Sequence, residues 1–220
     1  MKAKVAVIAG TPVDTAMGVE FLKSKDAQIA AVAFPANNSP REQHLFQLSA
    51  YESKHRRMSE IFDSAEAQGT RDFFIYCNSL SGAFDFDAFA AERGVNIYTP
   101  LQVYRQLGQS FDRAAVIAAN NQSTAGIERS LFEKNPNVNV MGLGWLELVY
   151  AVENRLPPEK IIRDFALDRL CRFFEDNGAD CLILGCTHFP YFQRELEKYT
   201  ALPVINPADM MYEMLINNIG

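Results

Sequence analysis

The 220-residue chain has no long hydrophobic run, no excess of basic charge, no Pro/Gly/Ser-rich linker and no low-complexity segment. Each absence excludes something. The longest early apolar stretch, Val5-Ala-Val-Ile8-Ala-Gly10, is far too short to span a bilayer and lacks the layout of a secretory signal, so a membrane partner is not expected and a cytoplasmic location is. A formal net charge of -6, with the one basic cluster confined to Lys54–Arg57, leaves no broad surface for phosphate backbones, so no nucleic acid is expected as a partner. Without a linker, any domain boundary must be inferred from internal repetition. Only four cysteines occur, and in a chain without an export signal they read as thiols rather than bridges.

What is present is ordinary globular composition, 48% hydrophobic and 22% charged, arranged as short apolar runs alternating with longer helical patterns. Residues 5–8, 27–34, 73–76, 96–98, 114–118, 138–141, 181–184 and 203–205 read as strands. Residues 14–24, 40–68, 84–93, 100–107, 123–134 and 157–176 read as helices. That alternation predicts an α/β fold with parallel sheets covered by helices on both faces. In open sheets of this kind ligands sit beyond the carboxyl ends of the strands, so residues just after each strand carry the functional information.

One repetition stands out. Asp72-Phe-Phe-Ile-Tyr-Cys77-Asn78-Ser79 and Asp180-Cys-Leu-Ile-Leu-Gly-Cys186-Thr187-His188 each run from an acidic start through a buried strand to a cysteine and two polar residues. The cysteines lie 109 positions apart, close to half the chain, as a duplicated half-domain would place them. Both precede a turn into a helix, where free backbone N–H groups favour a thiolate or a substrate carboxylate. Cys171, inside a helical pattern with Ile161, Phe165, Leu167 and Phe174, and Cys181, at a strand start, read as small core residues. Two thiols facing one carbon from opposite sides suit proton removal alpha to a carboxylate on one face and proton return on the other, with no cofactor. The carbanion then needs donors, and Asn78, Ser79 and Thr187 are of the right type.

At these residues the chain resembles the aspartate/glutamate racemase superfamily. Leu184-Gly-Cys186-Thr187-His188-Phe-Pro190 is similar to its second cysteine motif, Cys77-Asn78-Ser79 to its first, and Val7-Ile8-Ala9-Gly10-Thr11-Pro12 sits where its N-terminal substrate loop lies. The resemblance implies two pseudo-symmetric Rossmann-like subdomains, residues 1–98 plus 207–220 and residues 99–206, with the active site in the cleft between them. It implies racemisation of a small acidic amino acid, aspartate or glutamate, without pyridoxal phosphate or any other cofactor. Cys77 and Cys186 become the acid/base pair with His188 assisting Cys186, and Gly10, Thr11, Asn37, Asn78, Ser79, Asn120, Thr124 and Thr187 become substrate-binding. Superfamily members are often homodimers. Glu153 falls where glutamate racemases carry an acidic residue, although a lone glutamate late in a helix is usually solvated.

The chain also departs from the pattern. Ala9-Gly10 replaces the Asp-Ser pair of glutamate racemases, with Asp14 displaced by several residues; Phe34–Ser39 replaces their Pro-Tyr-Gly stretch; Asn120–Thr124 replaces their Gly-Thr pairs. These changes place the chain nearer the aspartate or broad-specificity branches. Bland readings stand beside the loop assignments: Asn37-Asn38-Ser39-Pro40 is also a turn and cap, Asn120–Thr124 and Thr11 also caps, and His44 and His55 surface or packing residues. Rival functions are a same-fold cis–trans isomerase or decarboxylase of a dicarboxylate, using one thiol, and a non-catalytic amino-acid-binding protein. Zinc held by Cys181, Cys186 and His188 with Cys171 is disfavoured, because C-x9-C-x4-C-x-H matches no usual module, so no metal is expected.

Overall fold

A computed structural model describes residues 3–219. The chain divides into two compact units, one formed by residues 1–102 with 208–220 and the other by residues 103–207. In chain order the first unit contributes β1 (Lys4–Ala9), α1 (Pro12–Lys25), β2 (Ala30–Pro35), α2 (Pro40–Leu48), α3 (Tyr51–Glu66), β3 (Asp72–Ile75), α4 (Asn78–Ala83), α5 (Phe86–Arg93) and β4 (Asn96–Tyr98). Helix α6 (Pro100–Leu107) leads into β5 (Arg113–Ala118), α7 (Asn121–Phe132), β6 (Asn139–Gly144), α8 (Leu146–Glu153), α9 (Pro158–Asp164), α10 (Leu167–Asp176), β7 (Cys181–Gly185), α11 (Pro190–Leu196) and β8 (Val204–Ile205). Helix α12 (Pro207–Ile219) then belongs almost wholly to the first unit.

Each unit is built on a four-stranded, all-parallel sheet, in the order β2-β1-β3-β4 in the first and β6-β5-β7-β8 in the second. The two orders are the same pattern repeated. The expected α/β class with two like parallel-sheet units is therefore what the chain adopts. The inner strands explain it: Val5–Ala9, Phe73–Ile75, Ala114–Ala118 and Cys181–Gly185 are buried throughout, as strands covered by helices on both faces must be. Outer strands β2, β6 and β8 are only half-buried. No helix among the described residues is long and apolar enough to cross a membrane.

The structure differs from the sequence reading where tertiary packing interrupts a helical pattern. The stretch 40–68 is two helices, because Ser49 and Ala50 turn extended, with the Ser49 hydroxyl donating to the Phe46 carbonyl. Short hydroxyl side chains compete for helix carbonyls in this way, and the break lets α2 pack against α4. The stretch 157–176 is likewise broken, at Phe165-Ala166, where Ala166 adopts a left-handed φ of 50° and Phe165 packs edge-on to Trp145 with ring centroids 5.1 Å apart. Helices α4, α8, α11 and α12 lie outside the helical ranges expected above. Three of them are eight residues or fewer, too short for a 3.6-residue periodicity to stand out.

Candidate active site

Register places the two cysteines equivalently within their own sheets. In the first unit Ile8 pairs with Ile75, so Gly10 and Cys77 emerge side by side from the carboxyl ends of β1 and β3. In the second, Ala118 pairs with Gly185, so Ala119 and Cys186 emerge side by side from β5 and β7. Both sulfur-bearing residues are largely buried, Cys77 at 4% exposure and Cys186 at 6%, yet each has a polar neighbour within reach.

Around Cys77 the neighbour is Ser79, whose Oγ lies 3.2 Å from the sulfur. Ser79 Oγ also accepts from Gln43 Nε2 at 3.2 Å, and Gln43 Oε1 accepts from Asn37 Nδ2 at 2.6 Å. The Asn37 backbone N–H donates to the Gly10 carbonyl at 3.1 Å. Three loops are thereby tied together: the one after β1, the one after β2, and the start of α4. Asn78 and Ser79 are both buried in the first turn of α4.

Thr11 is held differently. It caps α1, and Asp14 returns the bond: Asp14 Oδ1 accepts from the Thr11 N–H at 2.6 Å and from its hydroxyl at 2.9 Å, while Oδ2 accepts from the Gly10 N–H at 3.2 Å. This reciprocal cap spends the Gly10 and Thr11 backbone donors on a buried carboxylate of the same loop. The displaced Asp14 is thus the residue that shapes the loop.

Around Cys186 the neighbours are ionisable. The sulfur lies 3.6 Å from His188 Nδ1, and His188 Nε2 lies 3.1 Å from Glu153 Oε1. Glu153 sits at the last position of α8 with its side chain 18% exposed, far less solvated than its place in the sequence suggests. A neutral imidazole that donates its Nε2–H to the carboxylate would turn its Nδ1 lone pair toward the thiol. Tyr104, fully buried on α6, is close enough to feel the charge of Cys186; desolvation first and that charge second push its phenol well above the ordinary range. It stays a neutral phenol.

The remaining second-unit residues are arranged around helix α7. Asn120 caps it, with Oδ1 accepting from Ser123 N at 2.9 Å and Ser123 Oγ at 3.0 Å. Thr124 donates its hydroxyl to the Asn120 carbonyl at 3.2 Å, so that donor serves its own helix. Thr187 and His188 are both buried in the turn between β7 and α11, which closes with the Phe189 N–H donating to the Cys186 carbonyl at 3.0 Å and has Pro190 in its first helical position. The other two cysteines, Cys171 and Cys181, are fully buried in the core, and burial raises their thiols to about 11 and about 12.

Residue patterns missed Gln43 and Tyr104 and undervalued Glu153. Gln43 and Glu153 lie on helices, away from any strand end, and only packing brings them to the thiols. The Asn–Gln–Ser link also had no sequence signal, because amide and hydroxyl side chains are common on helix surfaces.

An α/β protein of two like parallel-sheet units, each ending its third strand in a polar-partnered cysteine, is the class that fold and site together define. The family model for Asp/Glu/Hydantoin racemase matches residues 24–215, and the chain belongs to that family. A glutamate racemase from Corynebacterium glutamicum is 28% identical over 132 residues, 59% of this chain, but the match spans under half of that relative's length, 48%. Among solved structures, the glutamate racemase of Francisella tularensis in complex with D-glutamate superposes with a TM-score of 0.73 at 16% identity, covering 99% of this chain and 82% of that one. The aspartate racemase of Picrophilus torridus gives a TM-score of 0.67 at 17% identity, covering 98% and 93%.

Proposed function

We propose that this chain is a cofactor-independent amino-acid racemase interconverting the L and D forms of a small acidic amino acid, aspartate or glutamate, with Cys77 and Cys186 as its acid/base pair. The observation that carries the reading is that two equivalent strands, β3 and β7, each release a cysteine whose sulfur lies within reach of a proton-handling or hydrogen-bonding side chain, Ser79 in one unit and His188 in the other. Family membership supports racemisation, and the names of the relatives supply the two leading substrates.

In the proposed reaction one thiolate takes the proton from Cα and becomes a thiol, while the opposite thiol gives its proton to the other face and becomes a thiolate. Charge and protons balance without any external group. The carbanion develops beside the substrate carboxylate, so donors must be aimed at that charge; Asn78, Ser79 and Thr187 are proposed for this role, with Asn37 and Asn120 completing substrate binding. Glu153 holds His188 so that Nδ1 faces Cys186, within reach of the proton that sulfur handles.

The test is incubation of the purified protein with L-aspartate, L-glutamate and a wider panel of L-amino acids in heavy water, following the α-proton by NMR and the enantiomer ratio by chiral chromatography. Deuterium entering Cα with loss of optical purity is expected, and the loss of optical purity should vanish in Cys77→Ala and in Cys186→Ala. Turnover surviving Cys77→Ser would point to a one-thiol decarboxylase or isomerase. Tight binding without exchange would make the protein a binder on a racemase scaffold.

A further inference from the structure

A chain of hydrogen bonds from Asn37 to Cys77 runs through Gln43, a side chain on α2 that is 5% exposed. The direction of those bonds is informative. Asn37 Nδ2 donates to Gln43 Oε1, which turns the Gln43 Nε2 toward Ser79, and Nε2 donates to Ser79 Oγ. A hydroxyl that accepts from an amide N–H keeps its own hydrogen to give away, and the Cys77 sulfur lies 3.2 Å from it. A thiolate is the best acceptor for that hydrogen, since bonds to an ionised partner are the stronger ones.

The space beside the sulfur tells the same story. A Cβ built on Gly10 would lie 2.9 Å from Gln43 Cγ, 3.1 Å from its Cδ and 3.2 Å from Cys77 Sγ. Gln43 therefore fills the volume that a side chain at position 10 would take, directly alongside the thiol. Glycine at that position is what admits the amide.

We propose that Gln43 is the positioning residue of the Cys77 thiol, its amide orienting the Ser79 hydroxyl so that the hydrogen points at the sulfur. The inference rests on Cys77 being an acid/base group, but its test does not use turnover. In the full chain carrying Cys186→Ala, Cys77, at 4% exposure, is the most accessible thiol left, since Cys171 and Cys181 are at 0%. Its iodoacetamide rate is measured against pH, with peptide mass spectrometry to confirm the site.

Gln43→Leu should slow alkylation near neutral pH by about tenfold, a shift of about one unit in the midpoint, the size expected for one lost hydrogen bond to a charged group. Gln43→Glu should shift it further, because its carboxylate accepts the Ser79 hydrogen and adds like charge near the sulfur. In a Ser79→Ala background, Gln43→Leu should add nothing, as residues acting through one chain are not additive. An unchanged midpoint in Gln43→Leu, or a shift that persists undiminished without Ser79, would overturn the proposal; Gln43→Met, close in volume, gives the same readout if the leucine unsettles α2. A wild-type protein that fails to racemise while showing these shifts would sink the proposed activity and leave the role of Gln43 standing.

Discussion

Glu153 and His188, 35 positions apart in the chain, meet at 3.1 Å between Oε1 and Nε2, and this contact turns the other ring nitrogen toward Cys186. The end of α8 and the turn after β7 thus cooperate on a single sulfur. Replacing His188 with Asn should lower kcat by about 10²-fold or more in the direction where Cys186 removes the proton, with a smaller change in KM, as expected for loss of general acid/base assistance. Glu153→Gln should cost less, because the amide oxygen still accepts from Nε2 while the charge is gone. Separate rate measurements from the L and D enantiomers, by circular dichroism, check both; equal losses in the two directions would count against a role confined to Cys186.

Stability should fall in alkaline solution. Burial raises Cys171 from 9.0 to about 11 and Cys181 from 9.0 to about 12, and chiefly burial raises Tyr98 from 10.0 to about 12. A raised folded-state value means the folded protein holds the proton more tightly than the unfolded chain does. The stabilisation is therefore complete below the unfolded values and is lost as pH climbs through the folded ones. The melting temperature is expected to be insensitive to these groups below pH 9.0 and to decline steadily between 9.0 and about 12. Calorimetric scans across that range test it, and a Cys181→Ala variant should show a shallower decline.

Gly144 ends β6 against the start of α7. A Cβ there would sit 2.1 Å from the Asn120 carbonyl carbon, 2.3 Å from the Asn121 nitrogen and 2.6 Å from the Asn120 oxygen, all backbone atoms that cannot swing aside. Gly144→Ala should therefore destabilise the fold by about 1–3 kcal/mol, the usual range for overpacking. Because the strain falls on the Asn120 cap, it should also weaken substrate affinity if Asn120 binds substrate. Urea titration and KM measurements on the same variant separate the two effects.

Much of the fold was legible because the inner strands carry their signal in consecutive residues. Val5–Ile8, Phe73–Tyr76, Ala114–Ala118 and Cys181–Leu184 read as buried strands, and the observed strands overlap all four. Long segments were harder. The helical pattern over 40–68 continued through Ser49 and Ala50 because nothing in side-chain period marks a residue whose hydroxyl will bond back to its own helix. Of the site, the two thiols, Ser79 and His188 were visible as residues following strands, whereas the partners Gln43 and Tyr104 carried no local mark.

The chain by itself determined that alternating apolar runs and helical segments build parallel sheets, and that Cys77 and Cys186 follow equivalent strands, since strand periodicity and burial are properties of neighbouring residues. Tertiary structure alone decided what backs each sulfur's neighbour: Gln43 behind Ser79 in one unit, Glu153 behind His188 in the other. The two backing contacts join residues 36 and 35 positions apart, and a hydrogen bond depends on a few tenths of an ångström and a direction. Such precision comes from how helices pack on their sheets, which no local pattern encodes.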